Sequence, residues 1–236
     1  MAGLRRTLDM EALYGITGRS FFYPCAWQDW KEMLDAFGDV IDEFHFVDVN
    51  YQFAKSMPIV NPRWRLLPDQ TALKGPAVDT LRTIENVRHP YRDITPAWLR
   101  ERYINLESSR TIQVIRRRGF GEYALDELPD NSLGIFCHRG DSGIHAGSRT
   151  SFLANQKRSH QPLSNLFEKI KRKLAYPALI VSDASNTTIR QLFVSSVEME
   201  FDHFGLHWRR IGELNVEEHR PTFVWQVEPV EVERSV

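Results

Sequence analysis

The densest run of chemically capable side chains is Cys137-His-Arg-Gly-Asp-Ser-Gly-Ile-His-Ala-Gly-Ser148, followed at once by Arg149. Its glycines, 140, 143 and 147, permit sharp turns and leave backbone N–H groups open, while Arg139 and Arg149 have the planar fork that grips phosphate or carboxylate. The pattern predicts an anion or substrate loop. A second polar cluster, Ser182-Asp-Ala-Ser-Asn-Thr187, brings Asp183, Ser185 and Asn186. Asp183 could act as a general base or could fix Arg139 in place. The candidate catalytic residues are therefore His138, Arg139, Asp141 and Asp183, and the candidate substrate-binding residues are Ser142, His145, Arg149, Ser185 and Asn186. His138, Asp141 and His145 have metal-donor atoms, but their spacing matches no zinc signature, and no metal is expected. Nucleophilic serine chemistry is disfavoured because no Gly-x-Ser-x-Gly elbow occurs. There is no phosphate-loop motif and no Gly-x-Gly-x-x-Gly after the first strand, which argues against a P-loop nucleotidase and an ordinary NAD dehydrogenase.

These clusters need strands to end beside one another. Arg19–Pro24 reads as a first strand, and Trp27, Trp30, Met33, Leu34 and Phe37 recur at helical spacing until Gly38. Glu43–Val49 reads as a second strand with Asp48 near its carboxyl end, so the chain opens as a βαβ unit. Thr111–Ile115, Leu133–Cys137 and Pro177–Ser182 read as further strands, the last apolar throughout as in a sheet covered on both faces. Residues 51–110 are expected to form an inserted or lid-like segment. Within it Asn61–Pro76, with Arg63-Trp-Arg65, reads as a loop, Asp79–Val87 as helix, and Ala97–Tyr103 as a helix opened by Thr95-Pro96. Thr187–Glu200 is read as helix. Leu206–Glu213 and Pro221–Val227 suit an antiparallel hairpin at a sheet edge. The basic run Lys169–Lys173 reads as the solvated side of an amphipathic helix.

Alternating strands and helices predict an α/β fold: a Rossmann-like open, mostly parallel sheet with flanking helices and a C-terminal antiparallel hairpin, in one domain over 1–236. In such sheets ligands bind outside the carboxyl ends of the strands, which is where these polar clusters fall. The composition suits a globular chain: 236 residues, 42% hydrophobic, 26% charged. A formal net charge of -1 gives no global pull toward nucleic acid or an anionic membrane, so any such binding must be local. No stretch approaches the ~18 apolar residues of a membrane span, and the start lacks an apolar signal core, so a cytoplasmic protein with no membrane partner is expected. Two cysteines, Cys25 and Cys137, are too few for a disulfide framework.

With Asp48 ending strand two and polar loops after strands one, four and five, the order of elements from about residue 18 to 229 resembles the class I S-adenosylmethionine-dependent methyltransferases. The resemblance implies S-adenosylmethionine as cofactor, with an acid at the end of strand two on the ribose hydroxyls and the loop after strand one around the methionine part. On this chain those positions are Asp48 and Tyr23, Cys25, Ala26 and Asp29. The loop departs from the family's glycine-rich pattern, having Pro24, Ala26 and Trp27 and no glycine between Gly18 and Gly38. The alternatives on a sheet of this kind are a hydrolase or transferase for a phosphorylated or nucleotide-like ligand, and a catalytically silent binding protein.

Overall fold

The computed structural model describes residues 8–24, 26, 30–54, 61–78, 94–139, 166–183, 199–214 and 222–230. The chain divides into two compact units: a middle unit, Ser20–Leu128, and a terminal unit made of Met1–Arg19 with Pro129–Val236.

The middle unit starts as its apolar pattern requires. Strand β1 (Ser20–Pro24) and β2 (Glu43–Asp48) pair in parallel across helix α2 (Trp30–Phe37). Phe21, Phe44 and Phe46 cluster with ring centroids 5.1–5.9 Å apart, and Phe37 of α2 lies 5.8 Å from Phe21. Helix α2 ends at Gly38, where an added Cβ would come 2.3 Å from the Trp64 indole, so only glycine admits that ring. Beyond this point the expected architecture gives way. Strands β3 (Trp64–Lys74), β4 (Ala97–Asn105) and β5 (Thr111–Arg118) form an antiparallel meander, and β5 pairs in parallel with β2. Helix α3 (Gly121–Asp126) follows.

The terminal unit begins with α1 (Met10–Tyr14), capped by the Asp9 carboxylate, which accepts from Ala12 N–H and from Arg209, both at 3.1 Å. These bonds hold the Asp9 carboxyl below its usual range. Strand β6 (Leu133–His138) and β7 (Leu174–Ser182) are parallel neighbours, with helix α4 (Leu166–Lys173) in the chain between them. An antiparallel run, β8 (Glu200–His203), β9 (Leu206–Leu214) and β10 (Thr222–Pro229), joins the sheet through β10 against β7. Gly18 and Gly134 press their backbones together, leaving only 2.2–2.3 Å to the nearest backbone atom for a Cβ on either one.

Both units thus place their five strands in the same spatial order, first-second-fifth-fourth-third. The fifth strand is parallel to the second in the middle unit and antiparallel in the terminal unit. Five of these eight ladders are antiparallel, so the Rossmann-like, mostly parallel sheet with flanking helices is overturned by a strand-rich mixed sheet with few helices. The reason lies in β3 and β4. Strand β4, which contains the Ala97–Tyr103 stretch expected as helix, alternates inward (97, 99, 101, 103, 105) and outward, but two of its inward residues are the polar Glu101 and Asn105, which hides the period of two. Asn61–Pro76, expected as loop, carries β3, whose Pro68 falls in an irregular stretch between Leu67 and Ala72 on an exposed strand, where a proline costs no ladder bond. The C-terminal hairpin forms, but not at the edge: β8 lies beyond β9, and Glu200 opens that strand rather than closing a helix. Asp79–Val87 and residues 187–198 lie outside the described residues.

The basic run of α4 is less solvated than expected. Lys173 is buried and bonded to Asp130 at 2.7 Å, Lys171 reaches Glu168 at 2.7 Å and the Phe204 carbonyl at 3.0 Å, and Arg172 is exposed. The ion pair with Lys173 holds the Asp130 carboxyl below its ordinary range. No helix among the described residues is long and apolar enough to cross a membrane.

Candidate functional site

In the terminal unit the parallel pair β6/β7 ends in polar residues. All six residues of β6 are buried, and its register sets Cys137 against Val181 and His138 against Ser182. One step further, Arg139 and Asp183 leave the two strands side by side. Strand β10 enters from the other side of β7 with Phe223 against Ser182, so Thr222 stands next to Asp183 along the same register. His138, Arg139, Ser182, Asp183 and Thr222 are at most 5% exposed.

That is five of the eleven buried polar or charged residues among the described ones, gathered at one end of three adjacent strands. Buried polar side chains need partners, and a concentration of them at one end of adjacent strands is a candidate site. Its chemistry is definite. Arg139 brings a planar guanidinium fork, His138 an imidazole with two ring nitrogens, Asp183 a carboxyl group, and Ser182 and Thr222 hydroxyls that donate and accept. Ser182 opens the second polar cluster without being one of its candidates, and Thr222 escapes sequence reasoning because a single hydroxyl opening an apolar strand makes no pattern. The expected partners Asp141, Ser142, His145, Arg149, Ser185 and Asn186 lie outside the described residues. Among the described residues no group of three His, Cys, Asp or Glu side chains is placed to hold a metal.

The middle unit holds the positions implied for a cofactor. Tyr23 is fully buried, its ring 6.5 Å from Phe21 and 6.4 Å from Phe46. Ala26 is also fully buried and donates its N–H to the Val47 carbonyl at 3.0 Å. Asp48, 7% exposed, accepts from the Asn50 N–H at 2.7 Å, closing an Asx turn, while its carbonyl takes the Gly119 N–H at 3.2 Å. The structure brings Asp48 opposite Arg118 at the ends of β2 and β5. Cys25 and Asp29 lie outside the described residues.

The triplet Arg116-Arg117-Arg118 was not singled out by the sequence, and its members do three different things. Arg116 forms a buried two-toothed ion pair with Glu101, with N–O distances of 2.9–3.0 Å. Arg117, on the opposite face, reaches Glu127 at 2.6 Å and lies over the Trp98 ring at 5.0 Å. Arg118 is fully buried and donates to the carbonyls of Thr95, Tyr51, Ala77 and Pro76 at 2.7–3.4 Å, tying three chain segments together. The triplet Arg63-Trp-Arg65 divides likewise. Arg63 pairs with Asp39 and Glu107, Trp64 is core, and Arg65 is exposed.

No family model, curated protein or solved structure matches this chain.

Proposed function

We propose that the terminal unit is an enzyme domain for a small anionic ligand, phosphorylated or nucleotide-like, bound at the carboxyl ends of β6 and β7 and there hydrolysed or transferred. The observation that carries this reading is the gathering of His138, Arg139, Ser182, Asp183 and Thr222, all buried, at one end of three neighbouring strands. Arg139 neutralises the anion with paired N–H donors, which in a site shielded from water outweigh the same bonds at a surface. His138 delivers or removes the proton that a leaving or attacking oxygen requires, and Asp183, beside Arg139, holds the guanidinium or serves as base. The hydroxyls of Ser182 and Thr222 complete the polar lining. The architecture that suggested a methyltransferase is replaced, so the proposal rests on these residues; S-adenosylmethionine belongs among the ligands to be tried.

The test is a thermal-shift and calorimetric panel of inorganic phosphate, ADP-ribose, ATP and NAD, with S-adenosylmethionine and S-adenosylhomocysteine beside them. A ligand at a hundred times its Kd stabilises by about 2.7 kcal/mol, a rise in Tm of roughly 5–10 °C for a chain of this size. Arg139→Lys keeps the charge but loses the fork, and should weaken the bound ligand at least tenfold, or about 1.4 kcal/mol. Absence of binding by every phosphorylated compound would sink the proposal.

A further inference from the structure

The outward face of the β3–β4–β5 meander carries a set of charges that the fold does not need. By register and alternation it presents Arg65 and Lys74 from β3, Trp98, Arg100 and Arg102 from β4, and Gln113 and Arg117 from β5. Lys74, Trp98 and Arg117 stand in one cross-strand row, the lysine ammonium 5.2 Å and the guanidinium 5.0 Å from the indole centroid. Arg65, Lys74, Arg100 and Arg102 are exposed, and among the described residues none of the four forms an ion pair; Arg102 bonds only the neutral Gln70 amide, at 2.9 Å. Among the described residues Asp69 lies on β3 itself, and two further carboxylates come near. Glu127 is taken by Arg117, and Glu43 is bonded to His45 at 2.6 Å and Gln113 at 2.9 Å, with the charge of Arg100 adding to the pull.

Same-face residues two apart on a strand are about 6.8 Å apart and neighbouring strands about 4.8 Å, so five cations occupy a patch about 10 Å wide and 20 Å long. The register sets none of these cations directly opposite another, so the sheet tolerates them, but an ordinary solvated face would intersperse acids. We propose that this face binds a single strand of nucleic acid through its phosphates. The net charge of -1 excludes a global attraction, which makes the segregation local. Four of the five cations are arginines, whose flat guanidiniums bond phosphate in pairs and stack on bases, and Trp98 adds an aromatic ring at one end of the patch. An open sheet face with cations and an aromatic suits an unpaired strand better than a duplex, which offers its bases in a groove. This face belongs to the middle unit and does not rest on the ligand proposed above.

The experiment is fluorescence anisotropy of a labelled single-stranded oligonucleotide against the full chain over a salt series, with phosphatidylserine vesicles and poly-glutamate as rival polyanions. Arg100→Thr with Arg102→Thr keeps strand propensity and removes two contacts. It should lower the slope of log affinity on log salt by about 1.4 and the affinity at about 50 mM salt by roughly 10- to 100-fold. Arg65→Gln with Lys74→Gln, on the exposed strand, is the second variant; with Tm unchanged it should show a similar loss. Wild-type protein that fails to bind the oligonucleotide at low salt overturns the proposal, as does unchanged affinity in the second variant. Equal or stronger binding of vesicles or poly-glutamate would overturn the assignment to nucleic acid.

Discussion

Arg116 and Glu101 are buried to 2% and 3% exposure and joined by two parallel N–H to oxygen bonds. Burial pushes the Glu101 carboxyl above its ordinary range, against the pull of Arg116. Removing one partner of such a pair costs about 3–5 kcal/mol, because the other charge stays buried without compensation. The two single variants should nevertheless differ. In Arg116→Met the orphaned Glu101 can take up a proton and become neutral, whereas in Glu101→Leu the orphaned guanidinium cannot lose one. Glu101→Leu should therefore be the more damaging, with a fall in Tm of roughly 6–20 °C. The pH dependence follows the same logic. A carboxyl raised in the folded state contributes stability that is present below its unfolded pKa and lost as pH rises through the folded value, so Arg116→Met should regain stability on acidification toward pH 5 while Glu101→Leu does not. Replacing both residues should restore stability to near wild type or above it. Urea unfolding of the four proteins at pH 7 and pH 5, with slopes compared, reads all of this. Two near-neutral single variants, or a double variant whose loss equals the sum of the singles, would refute the reasoning.

Two further predictions follow from packing and burial. A methyl at Gly134 would stand 2.2 Å from the Gly18 carbonyl oxygen, so Gly134→Ala should cost about 1–3 kcal/mol by forcing two backbones apart; a Tm within a degree of wild type would show that the segment shifts freely. His203 sits 4.0 Å from the Phe204 ring centroid, its Nε2 has no hydrogen-bond partner among the described residues, and burial holds its pKa below 6.5. The unfolded chain then takes the proton first, so its contribution is present above about pH 6.5 and lost as pH falls through the lowered folded value. Thermal unfolding from pH 7.5 to 5 should show a steeper loss in wild type than in His203→Gln, and parallel curves would count against it.

What the sequence reveals here depends on whether burial and polarity agree. Strands β1, β2, β6 and β7 are apolar runs, and α2 has an apolar stripe, so each shows itself. Strand β4 buries Glu101 with Arg116 on β5 and Asn105 at its turn, and a residue made inward by a partner fifteen positions away cannot be read as inward beforehand. With β4 taken for a helix and β3 for a loop, the real βαβ pairs extrapolate to a parallel sheet. Of the candidate site, His138, Arg139 and Asp183 stand out in the sequence because they end apolar strands, whereas Thr222 comes beside them only through the antiparallel docking of β10. Arg118, whose role is to bind four carbonyls, has no signature at all.

The most direct test of the anion site compares calorimetric titrations of wild type, Arg139→Lys and Asp48→Ala with whichever phosphorylated compound of the panel binds. If the site lies at the ends of β6 and β7, affinity falls at least tenfold in Arg139→Lys, about 1.4 kcal/mol, and is unchanged in Asp48→Ala. Loss of affinity in Asp48→Ala with Arg139→Lys unaffected would contradict the account and move the ligand to the ends of β1 and β2.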